Sequence, residues 1–284
     1  MASIGILLPS REVELGSGAN LRDLVDLAVT AESAGLDHVW VGDSPVARPR
    51  AEPFTLLGAV AGRTETIGLG TAALIPALRH PLHTAHAIAS LDQLAPGRAT
   101  LAVGAGFPYD ATREEFAEFG VPWNARNQRL DDIVGRWRSL WTEDDSALPK
   151  PTTPGGPPIW LAAGASPANA ARLAKTYDGW LPYVPDPKAY RPMGGEAGLY
   201  VTLTLGPEAE AAATQEAYLQ AYYGFGSAVM GGLQACHAGE PDTAAKFLVD
   251  YINAGARHLV IRLGAFDVRP QLRLLVDEVV PALR

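Results

Sequence analysis

The chain has 284 residues and a formal net charge of -8, which suits one large α/β domain and disfavours a nucleic-acid surface, because phosphate backbones are gripped by clustered Lys and Arg. Its single cysteine, Cys236, excludes an internal disulfide framework, and no apolar run reaches the roughly 20 residues that span a bilayer. The amino terminus runs straight into a strand pattern with no charged leader, so a cytoplasmic protein with a small-molecule partner, no nucleic acid and no membrane is expected.

In chain order, an apolar run at 3–9, helical spacing at 21–34 and a second apolar run at 38–42 give strand, helix, strand. A Pro-opened helix at 53–61 precedes a strand at 66–74. A second Pro-opened helix follows from Pro81, then a strand at 98–106. The period-3.6 segment 126–141 puts Leu130, Ile133, Val134, Trp137, Leu140 and Trp141 on one broad face. Then come a strand at 158–163, a helix at 167–175, a short strand at 179–183 and an alternating strand at 199–205. The tail gives helices at 207–223 and 241–253, a strand at 258–263 and a last helix at 268–283. Eight strands with helices between most of them predict a single (β/α)8 TIM barrel over 1–284. Two Pro- and Gly-rich segments, 144–156 and 185–198, read as short insertions after the fourth and sixth strands, the second at the barrel mouth.

Barrel chemistry sits where strands end, and here those ends are poor in side chain. They are Pro9 to Arg11, Asp43 and Ser44, Thr71 with Ala72 and Ala73, Gly104 with Ala105 and Gly106, Gly164 with Ala165 and Ser166, and Tyr183. Glycine and alanine let a flat ring or a phosphate approach the backbone. After the fifth strand the chain turns into a helix at Pro167, so free N–H groups near Ser166 suit an anion. Phe107, Tyr109, Trp123 and the segment 185–198, with Tyr190 and Met193, are expected to wall the substrate space, with Trp180 and Tyr183 near it.

The series Ala31-Glu-Ser-Ala-Gly-Leu-Asp-His-Val-Trp-Val-Gly-Asp43, Leu69-Gly-Thr-Ala-Ala-Leu74, Arg79-His-Pro81, Leu91-Asp-Gln-Leu94, Gly104-Ala-Gly106, Pro158-Ile-Trp160 and Asp178-Gly-Trp180 resembles the luciferase-like oxidoreductases. The resemblance covers nearly the whole chain. It implies FMN or its deazaflavin analogue, coenzyme F420, laid across the strand ends. It also implies a non-prolyl cis peptide near Ala72–Ala73, a phosphate end on 104–106 and 164–166, and a homodimer through the helices after the second and third strands. Ala105 stands where FMN-using relatives more often carry Arg, which tilts the choice to F420. Hydride transfer to or from a small, partly apolar substrate is then the expected reaction, with an FMNH2-dependent monooxygenase as the alternative.

One departure matters. Deazaflavin-dependent relatives often carry His or Glu where this chain has Ser44, and a lone Ser hydroxyl is far too weakly acidic to act as a base near neutrality. Asp43 is the nearest proton carrier, with His80, Tyr109 and Asp110 behind it. Loss of turnover at this position, leaving a non-catalytic cofactor-binding or assembly barrel, is the rival reading.

Plainer readings cover the remaining motifs. His80, His83 and His86 spread around a helix without a carboxylate, so no metal is expected. Trp137, Trp141 and Trp160 read as core, and Glu114, Glu115 and Glu118 as a solvated helix face. Cys236 and His237 are chain neighbours that cannot face each other, so the thiol reads as inert. No lysine falls at a strand end, which argues against a Schiff-base aldolase.

Overall fold

The computed structural model describes residues 1–143 and 149–284. Among these, nine parallel strands pair into one sheet: β1 (Ser3–Leu7), β2 (His38–Val41), β3 (Gly68–Leu74), β4 (Ala99–Val103), β5 (Ile159–Leu161), β6 (Gly179–Trp180), β7 (Glu196–Leu205), β8 (Ala235–Gly239) and β9 (His258–Leu263). Pairing of β6 with β7 closes a ring of eight in the order β1-β2-β3-β4-β5-β6-β7-β9. This is the TIM barrel expected from the alternation of patterns.

Period two sorts the strand residues into two cores. Ile4, Ile6, Val39, Leu69, Leu101, Ile159, Leu199 and Ile261 point outward and bury against the helices. Leu7, Trp40, Ala72, Ala102, Trp160, Leu181, Tyr200 and Val260 point inward and fill the lumen. Two indole rings need room there, and the neighbouring strands provide it. A Cβ on Gly70 would collide with the Trp40 ring, one on Gly68 with the His38 ring, and one on Gly179 with Trp160. The glycines of β3 therefore make space for lumen side chains. Their expected role, leaving backbone open to a ligand, falls to Ala72 and Ala73 further along the strand.

The helices are α1 (Ser10–Glu14), α2 (Leu21–Ser33), α3 (Pro53–Ala61), α4 (Pro81–Leu94), α5 (Asp110–Glu118), α6 (Arg126–Thr142), α7 (Pro167–Thr176), α8 (Glu208–Tyr223), α9 (Ser227–Met230), α10 (Pro241–Asn253), α11 (Val268–Leu274) and α12 (Val280–Leu283). Sequence-coded starts are plain. Asn20 and Asp23 form a capping box on α2, Ser166 caps α7 through the Asn169 amide, and proline opens α3, α4, α7 and α10. All six apolar residues expected on one face of α6 are buried.

Three features depart from the sequence reading. First, β8 was not foreseen: it pairs along the upper half of β7, on the edge that β6 occupies lower down. Second, the last helix is broken by a π-turn at Leu275–Val279, just before Pro281, which has no N–H to continue the ladder. Third, the segment 185–198 is not at the mouth. It leads back to the start of β7, where Glu196 pairs with Gly179 at the other end of the barrel. Tyr190 is fully buried between Trp180 and Tyr251 and donates to the Gly198 carbonyl at 2.7 Å, while Met193 packs on the outer core. Of the other proposed insertion, 144–148 lie outside the described residues.

Candidate active site

The carboxyl ends of the strands surround a cavity of ≈ 320 Å³. Its floor is Ala72, Ala73, Gly104, Ala105, Ala162 and Ala163, so backbone and methyl groups face the space. The Ala72–Ala73 peptide is cis, where the resemblance placed it. Gly104 sits against Ala73 and Ala162, and a Cβ there would make ordinary contacts at 3.6 Å or more. Gly106 has φ +81°, and a side chain on it would press on Phe116 at 2.9 Å and Thr112 at 3.0 Å, so only glycine turns the chain here. At the rim, a Cβ on Gly164 would meet nothing within 4 Å.

Most residues expected at the site line this cavity: Asp43, Ser44, Ala72, Ala73, Gly104, Ala105, Gly106, Gly164, Phe107, Tyr109 and Tyr183. Five do not. Thr71 and Trp180 lie on the outer face of their strands by parity, donating to the carbonyls of Ala102 at 2.9 Å and Ala163 at 2.8 Å. Trp123 packs on Phe116 and under the Arg126 guanidinium, 3.9 Å from its centroid, and does not reach the cavity. Ala165 and Ser166 form the turn beyond Gly164, and the Ser166 hydroxyl is engaged as the α7 cap.

Asp43 is not a free base. Its Oδ2 accepts the Ile75 amide at 2.8 Å, and Arg79 grips both oxygens, with Nη2 on Oδ1 at 3.0 Å. Burial pushes the carboxyl above its ordinary value, with Arg79 and the Ile75 N–H opposing. Beside it, the Ser44 hydroxyl donates to Glu115 Oε1 at 2.8 Å and accepts the Arg48 amide at 2.8 Å. Glu115 is the surprise. Read as solvated, it is fully buried and lines the cavity, because α5 turns it inward under the 44–47 loop. Its Oε1 also accepts the amides of Val46 at 2.8 Å and Ala47 at 3.0 Å, while Oε2 has no partner. His80 and Asp110 are exposed and lie outside the cavity lining.

Cys236 and His237 point to opposite faces of β8. The thiol receives Gln234 Nε2 at 3.4 Å, and the imidazole meets Thr243 at 2.9 Å. Burial raises the thiol above its ordinary value, as an inert cysteine requires.

Two ends of the cavity carry charge. On the β4–β5 side stand Arg126, whose Nε is buried without a partner, Asn169, and Arg172, which is held by Asp131 at 2.8 Å. Across the mouth are Arg48, Arg50 and Arg262 among Tyr183, Tyr200, Tyr222 and Tyr223. Sequence reading missed this second group, although one signal existed: in His258-Leu-Val-Ile-Arg-Leu263 the alternation that buries Val260 inward also turns Arg262 into the lumen.

Residues 2–196 match the family model described as luciferase-like monooxygenase. The chain belongs to this family. Among luciferase-like relatives, the F420-dependent glucose-6-phosphate dehydrogenase of Beutenbergia cavernae is 36% identical over 185 residues, covering 56% of this chain and 52% of that one. The protein of the same name from Rhodococcus erythropolis is 28% identical over 337 residues, covering 97% and 99%. In the first of these alignments, as in others at 32% and 35% identity, the chain spans little more than half the length of the curated relative. The luciferase-like fold is matched by the crystal structure of monooxygenase RslO1 from Streptomyces bottropensis, with a TM-score of 0.81 at 21% identity, covering 99% of this chain and 100% of that one.

Proposed function

We propose that the chain is a coenzyme F420-dependent oxidoreductase, one barrel domain over 1–284, that transfers a hydride to or from a small, partly apolar organic substrate. The observation that carries this is the cavity floor, where Ala72, Ala73, Gly104 and Ala105 offer a flat fused ring only backbone and methyl groups. The rest of the site suits the same group. Open space at Gly164 and the unpartnered Nε of Arg126 leave room and charge for its anionic tail, over Gly106 toward Arg126 and Asn169. Curated relatives named F420-dependent add support. When bound, the deazaflavin supplies the carbon that takes or gives the hydride.

The protein's own groups handle the proton. Ser44 cannot hold the charge alone, but it donates to Glu115, so a proton from a substrate hydroxyl passes to Ser44 Oγ as the Ser44 proton moves to Glu115 Oε1. Reduction runs the same relay backwards. Asp43, fixed by Arg79, keeps the 43–44 turn and Ile75 in place. A small organic partner, no nucleic acid, a cytoplasmic location and a homodimer through α3 and α4 complete the proposal, consistent with the charge of -8. Among the described residues no helix is long and apolar enough to cross a membrane.

Parallel absorbance titrations with F420 and FMN under anaerobic conditions provide the test. Saturable F420 binding, tighter than FMN by about tenfold or more, is expected. FMN binding as tightly as F420 would move the chain to oxygenation chemistry, and binding of neither would leave the non-catalytic barrel.

A further inference from the structure

Arg262 is a charged side chain that the protein leaves unfinished. It is 3% exposed at the mouth end of β9, and the faces of Tyr222, Tyr223 and Tyr200 surround its guanidinium at 4.3, 5.0 and 5.0 Å. Rings meet the face of a guanidinium; its N–H groups lie in the plane and need acceptors there. Nη2 donates to the Tyr200 hydroxyl, but Nε and Nη1 have no acceptor. Arg50 and Arg48, from the loop after β2, line the same end of the cavity. Among the described residues, none of the three arginines is in an ion pair. Glu12, near enough for its field to reach Arg50, is buried and accepts from the Tyr218 hydroxyl.

Unpaired buried charge is costly in a fold unless something charged completes it. Three guanidinium groups converging on one wall of an accessible cavity, in a chain of net charge -8, describe a place for an anion. The ring order places it. β9 lies four strands from β4 in either direction, so Arg262 stands diametrically across the mouth from Gly104 to Gly106 and the tail end beside it. One molecule with its tail at the β4–β5 side leaves this wall for a second.

We propose that Arg262, Arg50 and Arg48, with the Tyr200 hydroxyl, form a subsite for an anionic oxygen group of the substrate, a carboxylate or a phosphate. Calling the ligand a substrate rests on the F420 reading above; the anion site itself does not. The reacting carbon is then carried on the part of the molecule that reaches from this wall over the alanine floor toward Ser44.

The test is calorimetry on the purified full chain at low ionic strength, with inorganic phosphate in one arm, succinate in a second and sodium chloride as control. F420 binding is measured on the same samples. Saturable binding of phosphate or succinate in preference to chloride is expected, and whichever binds names the group. Arg262→Gln and, separately, Arg50→Gln should weaken that binding at least tenfold while F420 affinity holds; the second variant keeps the test valid if the first fails to fold. Absence of anion binding in a chain that binds F420 overturns the subsite and leaves the cofactor reading intact. Anion binding without F420 binding does the reverse, and anion binding undiminished in both variants overturns the subsite.

Discussion

At the scale of single residues, the proposed chemistry turns on a pair that sequence shows only by half. Ser44 follows the acid at the end of the second strand, and its weakness as a base could be read from its side chain alone. Glu115 could not, because in Asp110-Ala-Thr-Arg-Glu-Glu-Phe-Ala-Glu118 it sits among acids that look alike, and only the folding of 44–47 over α5 singles it out. Arg262 is the opposite case, legible from strand parity once its strand is recognised. If Glu115 takes the proton, Glu115→Gln keeps the hydrogen bonds to Oε1 and loses the base. Its kcat should fall about a hundredfold or more with F420 affinity unchanged, measured by steady-state kinetics beside a binding titration. Equal kcat in wild type and variant would remove Glu115 from the relay.

At the scale of elements, hydrophobic periodicity and proline starts placed the eight barrel strands and most helices, since those signals lie within each segment. β8 escaped because Ala235-Cys-His-Ala-Gly239 is short, half-buried and carries no bulky apolar alternation. The segment 185–198 escaped because its path is set by distant partners, Trp180 and Tyr251 around Tyr190. The glycines of β3 were legible as small but not as neighbours of Trp40, a contact made across strands. Gly70→Ala inserts a methyl into the Trp40 ring and should cost about 1–3 kcal/mol. Chemical denaturation reads this directly, and an unchanged midpoint would show the lumen to be looser than described.

At the scale of the whole molecule, the closed barrel holds His38 and His258 against its lumen tryptophans at the end away from the site. His38 accepts or donates to Ser3 Oγ at 3.0 Å, and burial, then the neighbouring His258, lowers its pKa from 6.5 to about 4, with Asp37 opposing. The unfolded chain binds this proton below about pH 6.5 and the folded chain only near pH 4. Stability therefore rises between those values and levels off above them, by up to roughly 3 kcal/mol from this group. Urea unfolding at a series of pH values should show that slope in wild type and a shallower one in His38→Gln; parallel slopes would place the sensitivity elsewhere.

The whole account depends on a planar deazaflavin resting over side-chain-poor strand ends. Gly164 offers a direct probe, because it lines the cavity and a Cβ added there meets nothing within 4 Å. Quenching of F420 fluorescence is measured on wild type and on Gly164→Phe, with thermal melts to show that both fold alike. The prediction is binding to wild type and at least about tenfold weaker binding to the variant, about 1.4 kcal/mol. Equal affinity in two equally stable proteins, or no binding to wild type, would contradict it.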